Sequence, residues 1–152
     1  MHLLARLLLL AAILAAPLPA MAQSMPGAGS EEMQQAIATA RRTLPKFWER
    51  VRANEPTETG YAVKIVASDQ HGAEHIWLSR LRMRGGRLVG TIDTQPRIVR
   101  SLRQGQELPV NQDAIVDWMY FRNGRIVGNE TGRAMLRSLP REEAEKLLKL
   151  YE

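Results

Sequence analysis

Two short aromatic stretches hold most of the side chains able to do chemistry. One is Glu74-His75-Ile76-Trp77-Leu78 and the other is Asp117-Trp118-Met119-Tyr120. Along a strand, successive side chains point to opposite faces. That puts His75 and Trp77 on one face and Glu74, Ile76 and Leu78 on the other. Glu74 and His75 therefore cannot pair as acid and base by adjacency. Asp117 and Met119 are expected on one face, Trp118 and Tyr120 on the other. A lone carboxylate is costly to bury. Asp117 must either bond backbone amides and an arginine or face a wet cleft. If the fold joined Glu74, His75 and Asp117, they could support acid–base or metal-assisted hydrolysis. If it did not, each is a hydrogen-bonded structural group.

The metal reading is sparse. His71 and His75, with Asp69 and Glu74, offer nitrogen and oxygen ligands. A four-residue spacing joins two ligands on a helix, not across a turn into a strand. A third ligand such as Asp117 would have to arrive in space. No metal and no cofactor is expected. Nucleophile patterns are equally thin: there is no cysteine, no Gly-x-Ser-x-Gly elbow, no Ser-x-x-Lys and no glycine-rich phosphate loop. Ser68, His75 and Asp117 would make a triad only by meeting in space. A different chemistry is offered by Arg80, Arg82 and Arg84, which recur every second residue and so are expected on one strand face. With Arg87 across Gly85-Gly86 they make a basic hairpin tip that suits an anionic partner. The same charges could instead protect an edge strand from aggregation.

Hydrophobic periodicity predicts the elements that position these groups. Ser30 suits a helix N-cap, with Glu31 and Glu32 in the first turn. Met33, Ile37, Ala40, Leu44, Phe47 and Val51 then form one apolar stripe. Pro45 within it predicts a kink or two abutting helices. Residues 54–60 read as an exit loop. Tyr61 to Ala67 alternates as a half-buried strand with Lys64 on its polar face. Glu74 to Met83 and Arg87 to Asp93 read as a hairpin about Gly85-Gly86. Gly90 marks a bulge or a close backbone approach. Pro96 is expected to open a short helix closed by Gly105, with Ile98, Val99 and Leu102 inward. Gln106 to Val110, Ala114 to Phe121 and Arg125 to Val127 are further strands, the last two joined at Asn123-Gly124. Thr131 to Ser138 is helical, and Pro140 starts a final helix. Tight hairpins imply antiparallel pairing. The expected fold is α+β, with an antiparallel sheet of about five or six strands packed by a long N-terminal helix, and a short C-terminal helix.

Composition bounds the rest. The 152 residues are 45% hydrophobic, 24% charged and 5% aromatic, and include no cysteine. Long disordered chains, collagen, disulfide-stapled miniproteins and thiolate metal centres are excluded. The net charge is +5, which fits a solvated, arginine-biased surface or contact with an anionic one. Nothing matches a nucleic-acid-binding motif. Residues 1–22 read as a cleaved signal peptide: Arg6, an apolar run from Leu7 to Ala16, then Ala20-Met21-Ala22. That run is too short to span a bilayer, so no membrane span is expected in the mature form. Residues 23–29 read as a disordered tail and 30–152 as a single domain, periplasmic or secreted.

The order of motifs is itself informative. Phe47-Trp48, Val63-Lys64, Glu74 to Leu78, Gly90, Pro96, Gly105, Ile115 to Tyr120, Gly124, Gly128 and Thr131 occur in that succession. The pattern resembles the YegJ-like bacterial family, domain of unknown function 2314, over roughly Met33 to Leu136. The resemblance brings no activity with it. An asparagine shortly before the proline is replaced here by Thr94 and Gln95. The reading that follows is a non-enzymatic module for an unknown protein, peptide or anionic envelope polymer, with no nucleic acid. The alternative is the hydrolase-like or metal-assisted enzyme on Glu74, His75 and Asp117.

Overall fold

The computed structural model describes residues 30–152. The signal peptide and tail expected at 1–29 lie outside the described residues. The Ser30 hydroxyl accepts the Met33 N–H at 3.2 Å and starts helix α1, Glu31–Ala53. Pro45 lies inside one continuous helix, so of the expected kink or two abutting helices the second does not occur. Ala40 and Phe47, on either side of the proline, are both buried, and packing of that stripe outweighs one missing amide donor. Asn54, in the left-handed region at φ 48°, closes the helix.

Six strands follow. They are β1 (Glu58–Asp69), β2 (Gly72–Arg84), β3 (Arg87–Ile92), β4 (Glu107–Pro109), β5 (Ile115–Arg122) and β6 (Arg125–Gly128). They form one sheet in the order β4-β3-β2-β1-β5-β6, and every neighbouring pair is antiparallel. Helices α2 (Glu130–Leu136) and α3 (Arg141–Leu148) complete the α+β fold. The last residues cover the β6 edge, where Ile126 N–H bonds Leu150 O at 2.8 Å and Glu152 N–H bonds Ile126 O at 2.9 Å. Covering an edge this way removes a template for unwanted strand pairing.

The core lies between α1 and one sheet face. Phe47 is fully buried there, stacked on Trp118 at 5.4 Å and edge-on to Tyr61 at 6.0 Å. The Trp118 indole N–H donates to Ala40 O at 2.9 Å. That bond satisfies the polar end of a buried ring.

Three expectations need correction. β1 is not half-buried: Ala62, Val63, Lys64 and Ile65 are all buried, so its second face is covered too. No helix forms from Pro96 to Gly105. Its amides are drawn to two carboxylates instead. Glu74 accepts the N–H groups of Arg97, Ile98 and Val99, and Asp69 accepts that of Ser101. Val99 is buried as expected, but Ile98 is largely exposed. Finally, the arginine alternation in β2 is interrupted. The register shifts between Ser79 and Arg82, and Arg80 sits at φ 50°. This bulge turns Leu81 towards the core cluster and resets the facing of Arg82 and Arg84. Gly90 lies opposite the bulge, where an added Cβ would stand 2.9 Å from Leu78 Cβ. The close approach read from the sequence is real, and the bulge belongs to the partner strand.

Candidate functional site

Asp117 is fully buried. A register shift between β1 and β5 places Ile115 opposite Ile65 but Asp117 opposite Lys64. Since Trp118 points at α1, Asp117 points the other way. There it meets the first turn of α2. Its Oδ2 accepts Thr131 N–H at 2.8 Å and the Thr131 hydroxyl at 2.5 Å; its Oδ1 accepts Trp118 N–H at 2.8 Å and Glu130 N–H at 3.2 Å. Lys64 Nζ donates to Thr131 Oγ1 at 2.5 Å and lies 4.6 Å from the centre of the Trp77 ring. Burial pushes the Lys64 ammonium below its ordinary range, and the Asp117 charge opposes that.

The donor order Lys64–Thr131–Asp117 runs from ammonium through hydroxyl to carboxylate, which leaves Asp117 as the acceptor of the Thr131 proton. Chemistry at Thr131 is prevented by access, because the residue is 1% exposed. What the network does is bind the N-terminus of α2 to the middle of the sheet, with an anion at the helix end that favours one.

His75 shares the Lys64 and Trp77 face and is half-buried. Burial and then the Lys64 charge hold its imidazole below the usual range, against the pull of Asp117. Glu74 faces the other way. Its carboxylate accepts the 97–99 amides at 2.7–3.0 Å. Those backbone bonds, led by the one from Arg97, lower its pKa. The structure thus brings His75, Trp77 and Asp117 to one face with Lys64 and leaves Glu74 out. Trp118 and Tyr120 belong to the core beside Phe47. Among the described residues, no three of His, Asp or Glu gather as a metal set.

Removing the Glu74 charge is expected to release the loop it holds. In Glu74→Gln, the amides of Arg97, Ile98 and Val99 should exchange with deuterium about tenfold faster, because charged acceptors are the stronger ones. Unchanged protection at these three amides would show that the loop is held by Val99 burial alone.

The hairpin arginines behave differently. Arg82 and Arg84 both pair with Glu107 on β4, the Arg84 contact at 2.6 Å. Arg80 and Arg87 are exposed and have no carboxylate partner among the described residues.

Sequence reasoning missed three partners. The sequence puts Lys64 on a polar strand face and marks Thr131 as a helix start and a member of the motif order, without joining them. Glu58 was placed in a loop, yet it is a buried carboxylate joined to Arg50 at 2.8 Å, Arg122 at 2.9 Å and the Tyr61 hydroxyl at 2.8 Å. A buried lysine needs a nearby acid, which was the one usable signal for Lys64 and Asp117.

Comparison with known proteins finds a family and two relatives. The profile of a family described as uncharacterized protein conserved in bacteria, DUF2314, matches residues 30–150. The chain is 35% identical over 121 residues to the Escherichia coli protein described as uncharacterized protein YegJ, covering 80% of this chain and 78% of that one. It is 28% identical over 121 residues to a putative ankyrin repeat protein of Neisseria meningitidis serogroup B, covering 74% of this chain and 48% of that one. No solved structure matches significantly.

Proposed function

Given that the chain belongs to this DUF2314 family of conserved bacterial proteins, we propose that it is a non-enzymatic binding module outside the cytoplasm, whose β2–β3 hairpin contacts an anionic envelope polymer. One observation carries the reading. Four guanidinium groups, Arg80, Arg82, Arg84 and Arg87, stand on one hairpin against a single paired carboxylate, Glu107. Two of the four, Arg80 and Arg87, are exposed without a counter-ion among the described residues. Two of the three groups that would serve an enzyme, Asp117 and Glu74, are otherwise engaged. Asp117 and Thr131 are sealed and Glu74 holds a loop. Export rests on the Met1–Ala22 pattern. No helix among the described residues is long and apolar enough to cross a membrane.

The test uses heparin as a soluble polyanion. Arg80→Asn with Arg87→Ala should weaken binding about tenfold at low salt, since exposed charges steer polyanions. Asparagine tolerates the left-handed backbone at position 80. Glu107→Gln should strengthen binding several-fold by freeing Arg82 and Arg84. Both differences should shrink near 0.5 M salt, where screening is strong. Equal affinities for all three proteins would overturn the reading, as would capture of a neutral peptide in preference to heparin. Location is checked separately. An envelope fraction should yield a chain beginning at Gln23, and full-length protein in cytosol would refute export.

A further inference from the structure

The inner side of the same hairpin forms one wall of a groove of about 1010 Å³. The opposite wall is the last half of α1, and the end of β4 closes it. Its apolar surface comes from Trp48, Val51, Leu81, Met83, Leu88 and Val110. Met83 is 66% exposed, unusual for a large apolar side chain on a strand. Arg52, Arg82 and Arg87 also line the groove, and no acidic residue does. Arg82 is taken by Glu107, while Arg52 and Arg87 have no ion-pair partner among the described residues. The Trp48 indole N–H is buried without an acceptor among the described residues.

An apolar cleft with a few convergent polar groups is the usual form of a small-ligand site, typically of roughly 300–1,000 Å³. The lining sets the ligand's chemistry. The walls suit a hydrocarbon body and the unpaired guanidiniums suit an anionic head, while a cation would meet only like charge. We propose that the groove binds a single-chain anionic amphiphile of the long-chain carboxylate class. This goes beyond the polymer contact, with which it shares only Arg82 and Arg87.

The probe is dodecanoate, titrated below its micelle concentration into the purified protein and followed by calorimetry. Wild type should bind one equivalent. Butyrate, which keeps the head but lacks the tail, should bind at least tenfold more weakly. Dodecyltrimethylammonium, which keeps the tail but reverses the head, should do the same. Arg52→Glu, at the exposed end of α1, should lose about tenfold for dodecanoate and gain for the cationic amphiphile. Met83→Gln should lose dodecanoate binding while keeping heparin binding, which separates this site from the polymer contact. Unchanged heparin binding in the Arg80→Asn, Arg87→Ala variant, with dodecanoate binding still lost in Arg52→Glu and Met83→Gln, would sink the polymer reading and spare this one. Equal binding of both head charges, butyrate as tight as dodecanoate, or unchanged affinity in both Arg52→Glu and Met83→Gln would overturn the groove proposal.

Discussion

Asp117→Ala is expected to lose about 3–5 kcal/mol of folding stability, the range for leaving a buried charge without its partner. Three backbone amides and one hydroxyl would lose their acceptor at once. An unmet buried donor costs roughly 1–3 kcal/mol, and such terms do not add within one network. Lys64 would keep its charge in a site already hostile to it. Urea unfolding at pH 7 measures the loss. Adding Lys64→Met to Asp117→Ala should recover more than about 1 kcal/mol, because the orphaned ammonium goes with its partner. Lys64→Met alone should cost less than Asp117→Ala, since the carboxylate keeps all its amide donors. A loss below about 1 kcal/mol for Asp117→Ala would mean that α2 is held by packing against α1 rather than by this carboxylate.

The same residues show where sequence reasoning succeeds. The α1 stripe, the Gly85-Gly86 and Asn123-Gly124 turns and the facing of His75 with Trp77 are all local. Each follows from a period of 3.6 or 2, or from a turn that requires positive φ. What failed depended on distant partners. Pro96 does read as a helix start. Its loop is instead captured by Glu74, more than twenty positions earlier, whose carboxylate outcompetes the helix's own carbonyls for three amides. Arg80 carries no sign that it will adopt a conformation usually left to glycine, and that one bulge reverses the facing of every later side chain in β2. Lys64 alternates like a solvent-facing residue. It is buried because β5 pairs with β1, placing Asp117 beside it. The fold class was legible because it needs only element types and hairpins. The identity of the buried polar network was not, because it needs the strand order β2-β1-β5.

Glu58→Gln is expected to flatten the acid limb of the stability curve. Burial alone would raise this carboxyl, but hydrogen bonds from Arg50, Tyr61 and Arg122 more than reverse that and hold it at about 2, against an ordinary 4.5. The side chain is 1% exposed, so solvent screening weakens these bonds little. A carboxyl with a depressed folded pKa binds its proton first in the unfolded chain. Its contribution is whole above about pH 4.5 and is lost as pH falls towards 2. The fall from 4.5 to about 2, at about 1.36 kcal/mol per tenfold change in proton affinity, sets a ceiling of about 3 kcal/mol. Urea unfolding at pH 7, 4 and 2.5 should show wild type falling about 2–3 kcal/mol further than Glu58→Gln. The variant should start lower, because Arg50 and Arg122 lose their shared counter-ion, and the two curves should converge in acid. Asp69, Glu74 and Glu107 also titrate low, but they do so in both proteins and cancel in the difference. Tyr61→Phe should give only a small part of the effect, since it removes one neutral donor of the three. Parallel curves for wild type and Glu58→Gln would place the acid sensitivity elsewhere and leave Glu58 as a packing group between α1 and β5.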